Sequence, residues 1–133
     1  MLQPNAGQRP VVLIVEDEFL IRMDAAEVIE GGGFEVVEAK NADDAIAMLE
    51  QRNDIDLIFT DIDMPGSMDG LKLAHFVKNR WPPIKIIATS GHGKITANDL
   101  PEGGRFMPKP YNATEIADAI HQLIQPREMR RSR

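Results

Sequence analysis

Short runs of mainly apolar residues recur along the chain, and four of them end in residues with reactive or metal-binding side chains. These runs cover residues 11–15, 55–60, 84–88 and 106–108, and they are followed in turn by Glu16-Asp17, Asp61, Thr89-Ser90 and Lys109-Pro110. A further run is Phe34-Val36-Val37. Apolar runs of this length, bounded by polar residues, are typical of strands buried on both faces of a sheet.

Between these runs the apolar residues recur every three or four positions, which predicts one buried face on each of four helices. The helices are marked by Ile21, Ala25, Val28 and Ile29 before Gly31-Gly32-Gly33; by Ala42, Ala45, Ile46 and Leu49 behind an Asn41 cap; by Leu73, Ala74 and Val77 before Trp81-Pro82-Pro83; and by Ile116, Ala119, Ile120, Leu123 and Ile124, between an Asn112-Glu115 capping box and Pro126.

Alternating strands and helices predict an α/β domain, with a parallel sheet, right-handed crossovers and helices on both faces. One connection departs from the pattern. Residues 90–105 contain four Gly and one Pro and few apolar positions, so a short helical turn or an irregular loop replaces a full helix there.

Length and composition restrict the class of protein. With 133 residues, of which 43% are hydrophobic, the chain can bury one core, and without cysteine it can form neither disulfides nor thiolate metal sites. The net charge is −6, but residues 127–133 carry four Arg against one Glu, so the rest is more acidic still. The excess of acidic residues in positions 1–126 predicts no specific DNA binding, because contact with phosphates needs clustered Lys and Arg. We find no apolar stretch near membrane-span length and no leader peptide, which predicts a cytoplasmic protein.

If the strands are parallel, their polar ends lie at one edge of the sheet, where open α/β folds place their active sites. Converging carboxylates would repel one another, and a bound cation would relieve that repulsion. Asp17 and Asp61 can supply hard oxygen ligands, Glu16 can bind through water, and the backbone carbonyl of Asp63 can complete a partly hydrated Mg²⁺ site.

Two more side chains at this edge suit phosphoryl transfer. Lys109 can pair with one phosphoryl oxygen, and the Thr89 hydroxyl can donate a hydrogen bond to another. Asp61 is then the covalent acceptor of the phosphoryl group.

In these residues the chain resembles the response-regulator receiver domain. The family has an acidic pair after its first strand, Asp followed by Met-Pro after the third, Thr or Ser after the fourth and Lys-Pro after the fifth. The corresponding residues are Glu16-Asp17, Asp61 with Met64-Pro65, Thr89 and Lys109-Pro110. The resemblance implies a flavodoxin-like (βα)5 fold with sheet order 2-1-3-4-5, a cis peptide before Pro110, and Phe106 as the switch aromatic that responds with Thr89.

The resemblance also sets expectations for organisation and function. Residues 10–125 would form the receiver domain, residues 1–9 an N-terminal extension and residues 126–133 a basic tail. Asp61 would take its phosphoryl group from a histidine kinase or a phosphotransfer protein. The chain would signal by contact with a downstream protein, or act as a phosphate shuttle or sink, with no effector domain and no membrane partner. It would be no conventional enzyme, although it would catalyse its own phosphotransfer and autodephosphorylation; a homodimer stays open.

The chain departs from the usual receiver pattern in two places. The stretch from Asp61 to Gly70 is one residue longer than is typical, and the fourth helix is shortened. The sequence of residues 100–103 and 106–111 is similar to that of stand-alone receivers of alphaproteobacteria.

Other interpretations remain for the same residues. Glu16-Asp17 can simply begin a helix, Ser90 can take the role of Thr89, Lys109 can be a turn residue and Phe106 a core aromatic. Asp61-Ile62-Asp63 also fits a phosphatase of the haloacid-dehalogenase type, although Pro65 stands where that pattern needs Thr or Val. A receiver that binds partners without phosphorylation is a further alternative. A nucleotide loop at residues 91–94 fails, because Ala88 and Ile95 occupy positions that need Gly and Ser or Thr.

Overall fold

The computed structural model describes residues 9–66, 68–91 and 95–124. Five strands and four α-helices follow one another along these residues: β1 (Val11–Val15), α1 (Phe19–Gly31), β2 (Glu35–Ala39), α2 (Ala42–Gln51), β3 (Leu57–Asp61), α3 (Gly70–Arg80), β4 (Lys85–Ser90), β5 (Arg105–Pro108) and α4 (Ala113–Leu123). All strand pairs are parallel, and the strand order is β2-β1-β3-β4-β5. The predicted flavodoxin-like sheet is therefore confirmed.

The sheet separates two layers of core. Successive side chains of a strand point to opposite faces, so Val11, Leu13 and Val15 pack beneath α2 and α3, whereas Val12 and Ile14 pack beneath α1 and α4. These β1 side chains are nearly inaccessible to solvent because β1 lies inside the sheet and is covered on both faces. Coverage on both faces explains why β1 is a continuous apolar run.

Side-chain caps fix where the helices begin. The side chain of Asn41 accepts a hydrogen bond from the backbone N–H of Asp44, and Asn112 and Glu115 form the predicted capping box at α4. Asp69 caps α3 in the same way, a feature that the apolar spacing did not reveal.

A single 3₁₀ turn, Ala97–Asp99, occupies the connection between β4 and β5 in the part described, which confirms the prediction of a short turn in place of a helix. Leu100 is buried directly after this turn, and the ring of His75 on α3 contacts the backbone oxygen of Asp99 at 2.9 Å. Ile95 and Leu100, on either side of the turn, pack in one cluster with Ala88 of β4, and the His75 contact joins the turn to α3.

Two predicted details are wrong. Ile21 is 37% exposed, because only the second half of α1 packs on the sheet, through Ala25, Ala26 and Ile29. Helix α4 ends at Leu123 and not at Pro126, since the backbone of Ile124 is already extended. Among the helices described, none combines the length and apolar character needed to cross a membrane.

Candidate functional site

Four strands deliver polar side chains to one edge of the sheet. Glu16 and Asp17 follow β1, Asp61 ends β3, Thr89 lies near the end of β4 and Lys109 follows β5. The pairing register places Thr89 directly opposite Asp61, and the N–H of Ile62 donates to the Thr89 carbonyl at 2.8 Å. The topology therefore brings together the residues that the sequence singled out.

Three carboxylates form a compact cluster at this edge. One carboxylate oxygen from each of Glu16, Asp17 and Asp61 lies within 4.8 Å of the other two. Glu16 and Asp61 are each 5% exposed, whereas Asp17 faces solvent. Two buried acids therefore lie behind one accessible acid, a donor set of hard oxygens open to water on one side.

Lys109 is the cation of this site. Its Nζ lies 3.4 Å from Oδ1 of Asp61 and 3.9 Å from Oε1 of Glu16. The backbone N–H of Lys109 donates to the Ser90 carbonyl at 3.0 Å, and the peptide bond to Pro110 is cis, as the resemblance implies. Strand pairing thus directs the lysine side chain toward the acids.

The acids remain electrostatically frustrated in spite of Lys109. Burial, reinforced by the Asp61 charge and by Asp17, raises the pKa of Glu16 to about 7, although the Glu18 N–H and Lys109 oppose the shift. Burial likewise raises the pKa of Asp61, against the effect of Lys109. A bound divalent cation would stabilise both carboxylates in the charged form, so the donor set and its electrostatics fit Mg²⁺.

The loop that follows Asp61 is tied to its surroundings at Asp63. Its N–H donates to Oδ1 of Asp61 at 3.3 Å, and its Oδ2 accepts a hydrogen bond from the Ser90 hydroxyl at 2.8 Å. Thr89 and Ser90 are thus distinguished by position, since Thr89 pairs with Asp61 in the sheet while the Ser90 side chain contacts Asp63.

Gly70 permits α3 to begin against the acceptor. A Cβ atom at this position would overlap the backbone carbonyl of Asp61, and the Gly70 N–H donates to the Ile62 carbonyl at 3.1 Å. The sequence pattern marks Gly70 only as the end of the loop that begins at Asp61. A glycine at the start of a helix just beyond an active-site loop was the available signal.

Arg22 also supports the site and was not anticipated. It donates to the backbone carbonyl of Glu16 at 2.8 Å and to Oε1 of Glu38 at 3.1 Å. These bonds attach the turn that carries the acidic pair to α1 and β2. No sequence pattern indicates this role, because an arginine on α1 is typical of a solvated face.

Phe106 lies away from the acids, in a small cluster of its own. It is partly buried and packs against Ile62, Ala88 and Leu100. Ile62 follows Asp61 and Ala88 precedes Thr89, so this cluster is the immediate neighbour of the candidate acceptor and its hydroxyl partner.

The chain belongs to the response regulator receiver domain family, whose pattern matches residues 12–121. It is 35% identical over 124 residues to the nitrogen assimilation regulatory protein NtrX of Azorhizobium caulinodans, covering 90% of this chain and 27% of that protein. It is 30% identical over 121 residues to the sensor kinase CckA of Brucella abortus, covering 88% of this chain and 13% of the kinase. The chain therefore spans only a small part of the length of these relatives.

Solved structures agree with this assignment. A response regulator receiver protein from Sinorhizobium medicae superposes with a TM-score of 0.81 at 25% identity, covering 89% of this chain and 96% of that one. The response regulator TrrA of Thermotoga maritima, solved in complex with Mg²⁺-BeF, has a TM-score of 0.75 at 25% identity, covering 86% and 99%. The chain is thus a receiver domain of the two-component class, a family of signalling switches and not of classical enzymes, and membership excludes the haloacid-dehalogenase interpretation.

Proposed function

We propose that the protein is a phospho-accepting switch in which Asp61 receives a phosphoryl group from a histidine kinase or a phosphotransfer protein. The observation that carries the proposal is the position of the Asp61 carboxylate, buried at the end of β3, with Glu16 and Asp17 oxygens within 4.8 Å and Lys109 at 3.4 Å. A carboxylate held between a cation-binding cluster and an ammonium group suits nucleophilic attack on phosphorus.

The transfer needs few groups. An oxygen of Asp61 attacks the phosphorus of the donor phosphohistidine, the P–N bond breaks, and the imidazole nitrogen keeps the electron pair and gains a proton from solvent. Lys109 then pairs with a phosphoryl oxygen, and the Thr89 hydroxyl donates to another. Hydrolysis of the aspartyl phosphate by the same site would return the protein to its resting state.

The residues that would hold Mg²⁺ are Asp17 and Asp61 through their side chains, Glu16 through water and Asp63 through its backbone carbonyl. When bound, the ion would supply positive charge to the carboxylates and to the incoming phosphoryl oxygens. The Mg²⁺-BeF complex of the Thermotoga maritima regulator supports the same chemistry here.

An exposed apolar surface beside the acids supports a protein as the phosphoryl donor. Phe19 and Leu20, on the first turn of α1, are 60% and 70% exposed, and Met23 is 48% exposed. Large apolar side chains clustered on a soluble surface mark protein contacts. This turn begins two residues after Asp17, so a donor docked there could reach Asp61.

The output is proposed to be non-covalent contact with a downstream protein, with Thr89 and Phe106 as the switch pair. A role as phosphate shuttle or sink differs in that the phosphoryl group moves on or is hydrolysed without such a contact. We also propose a cytoplasmic location, no specific DNA binding by this chain and autodephosphorylation as its only hydrolytic activity. Homodimerisation would be measured by light scattering with and without phosphorylation.

Radiolabel transfer from a panel of phosphorylated histidine kinases tests the acceptor. Wild type should be labelled in Mg²⁺ and not in excess chelator, and Asp61→Asn should abolish labelling. Asp54→Asn, in the connection between α2 and β3, is the matched control and should be labelled like wild type. Labelling of Asp61→Asn, or of wild type in chelator, would remove the residue or the metal from the mechanism.

A second measurement separates the switch from the shuttle. Labelled protein is mixed with histidine phosphotransfer proteins, and loss of label to them is followed against spontaneous hydrolysis. A switch should keep its label long enough to bind a downstream protein, whereas a shuttle should lose it to a second histidine.

A further inference from the structure

Ser90 occupies the point where three parts of the site meet. It ends β4 immediately after Thr89 and is 1% exposed. Its backbone carbonyl accepts the N–H of Lys109 at 3.0 Å, and its hydroxyl donates to Oδ2 of Asp63 at 2.8 Å. One buried residue therefore connects the strand of the hydroxyl partner, the loop of the lysine and the loop after the acceptor.

Asp63 is the accessible end of this connection. It is an exposed residue in the loop between β3 and α3, and it reaches back to the acceptor through its N–H, 3.3 Å from Oδ1 of Asp61. Among the residues described, the Asp63 carboxylate is not part of the cluster of Glu16, Asp17 and Asp61. The Ser90 hydroxyl thus holds the Asp63 side chain on the β4 side of the loop.

We propose that Ser90 is a positioning residue for the cation site: its hydroxyl anchors the Asp63 carboxylate, and this fixes the backbone of Asp63 beside Asp61. A hydrogen bond from a buried donor to a charged acceptor is among the stronger ones in proteins. With the side chain anchored to β4 and the N–H directed at Asp61, the peptide unit that carries the candidate carbonyl ligand is held from two sides.

The inference deepens the proposed function, on which it rests for the identity of the metal ligands. It gives Ser90 a role different from that of Thr89. Thr89 would act on the phosphoryl group, whereas Ser90 would act earlier, on the loop that completes the cation site.

Ser90→Ala tests the anchor in the full chain, with Mg²⁺ as the probe and titration calorimetry as the assay. Outer-shell partners typically influence metal affinity by at least an order of magnitude, so the dissociation constant should rise about tenfold. In chelator, the amides of residues 62–64 should exchange hydrogen faster than in wild type. Val77→Ala, which opens a small cavity in the core beneath α3, is the stability control and should change neither quantity.

Asp63→Ala removes the same hydrogen bond from its exposed end, so it tests the anchor even if Ser90→Ala does not fold. Both variants and their combination form a double-mutant cycle. The combined variant should bind Mg²⁺ about as weakly as either single variant. Unchanged affinity, tighter binding or fully additive losses would each overturn the proposal.

The role of Ser90 and the acceptor role of Asp61 can be tested separately. Radiolabelling of wild type at Asp61 tests phosphoryl acceptance without reference to Ser90. If wild type is labelled but Ser90→Ala binds Mg²⁺ as tightly as wild type does, the anchoring role of Ser90 is refuted and the acceptor role of Asp61 is not. Weakened Mg²⁺ binding in Ser90→Ala, with no labelling of wild type, refutes the acceptor alone.

Discussion

Replacing Glu16 by Gln should stabilise the metal-free protein at high pH and have little effect at low pH. Burial raises the pKa of Glu16 to about 7 from the ordinary 4.5. Between these values the unfolded chain has lost the proton while the folded chain retains it, so the folded state binds more protons. The free energy of unfolding of wild type must therefore fall as pH rises through this window.

The magnitude follows from the two pKa values. The charged carboxylate costs the folded state about 3 kcal/mol once pH exceeds both values. Glutamine has nearly the same shape, carries no charge, and its side-chain oxygen can still accept the hydrogen bond from the Glu18 N–H that Glu16 accepts at 3.1 Å. The variant should thus escape the cost without creating a cavity.

Urea denaturation in excess chelator at pH 5 and pH 8 measures the effect. The stability advantage of Glu16→Gln over wild type should be about 2–3 kcal/mol larger at pH 8 than at pH 5. Glu27→Gln, at an exposed position of α1, is the control and should show no such difference. Saturating Mg²⁺ should shrink the advantage, because the cation stabilises the charged glutamate. An advantage equal at both pH values, or a less stable variant at pH 8, would refute the electrostatic reasoning.

Three further predictions concern Lys109, Gly70 and the β4–β5 connection. Lys109→Ala should still be labelled by the kinase, but its phosphorylated form should bind the downstream protein more weakly than phosphorylated wild type; equal affinities would contradict the coupling role. Gly70→Ala should lower the free energy of unfolding by about 3 kcal/mol through overlap with the Asp61 carbonyl, whereas Gly31→Ala, with no atom within 4 Å of the added Cβ, should not. Hydrogen exchange of residues 95–104 should be fast in the resting protein and slower with beryllofluoride; changes confined to another face would place the output elsewhere.

The hydrophobic pattern was sufficient to predict the architecture, because the buried strands are unbroken apolar runs and the helices carry apolar residues every three or four positions. β1 reads as an uninterrupted apolar run, and it is covered on both faces. The capping box at Asn112 marked the start of α4 correctly. The same reasoning failed at Ile21, because periodicity identifies an apolar face but not how far along the helix that face remains covered.

Site residues were predictable to the extent that topology alone brings them together. Asp61, Thr89 and Lys109 each stand at the end of a strand, so parallel pairing suffices to collect them at one edge. Gly70, Arg22 and the Ser90–Asp63 pair depend on contacts between a loop and another element. Such contacts leave no periodic trace in the sequence, and only three-dimensional distances reveal them.

The position of the Phe106 cluster explains how a change at the acids could reach the surface. Ile62 and Ala88 are chain neighbours of Asp61 and Thr89, and they pack with Leu100, which directly follows the 3₁₀ turn. A displacement at the end of β3 or β4 would therefore change the packing of this small cluster before that of the two large cores. Because the turn is attached through Ile95, Leu100 and the His75 contact, repacking around Phe106 would alter its attachment. Under the proposed function, we therefore expect phosphorylation of Asp61 to change the surface of the described chain at this shortened connection.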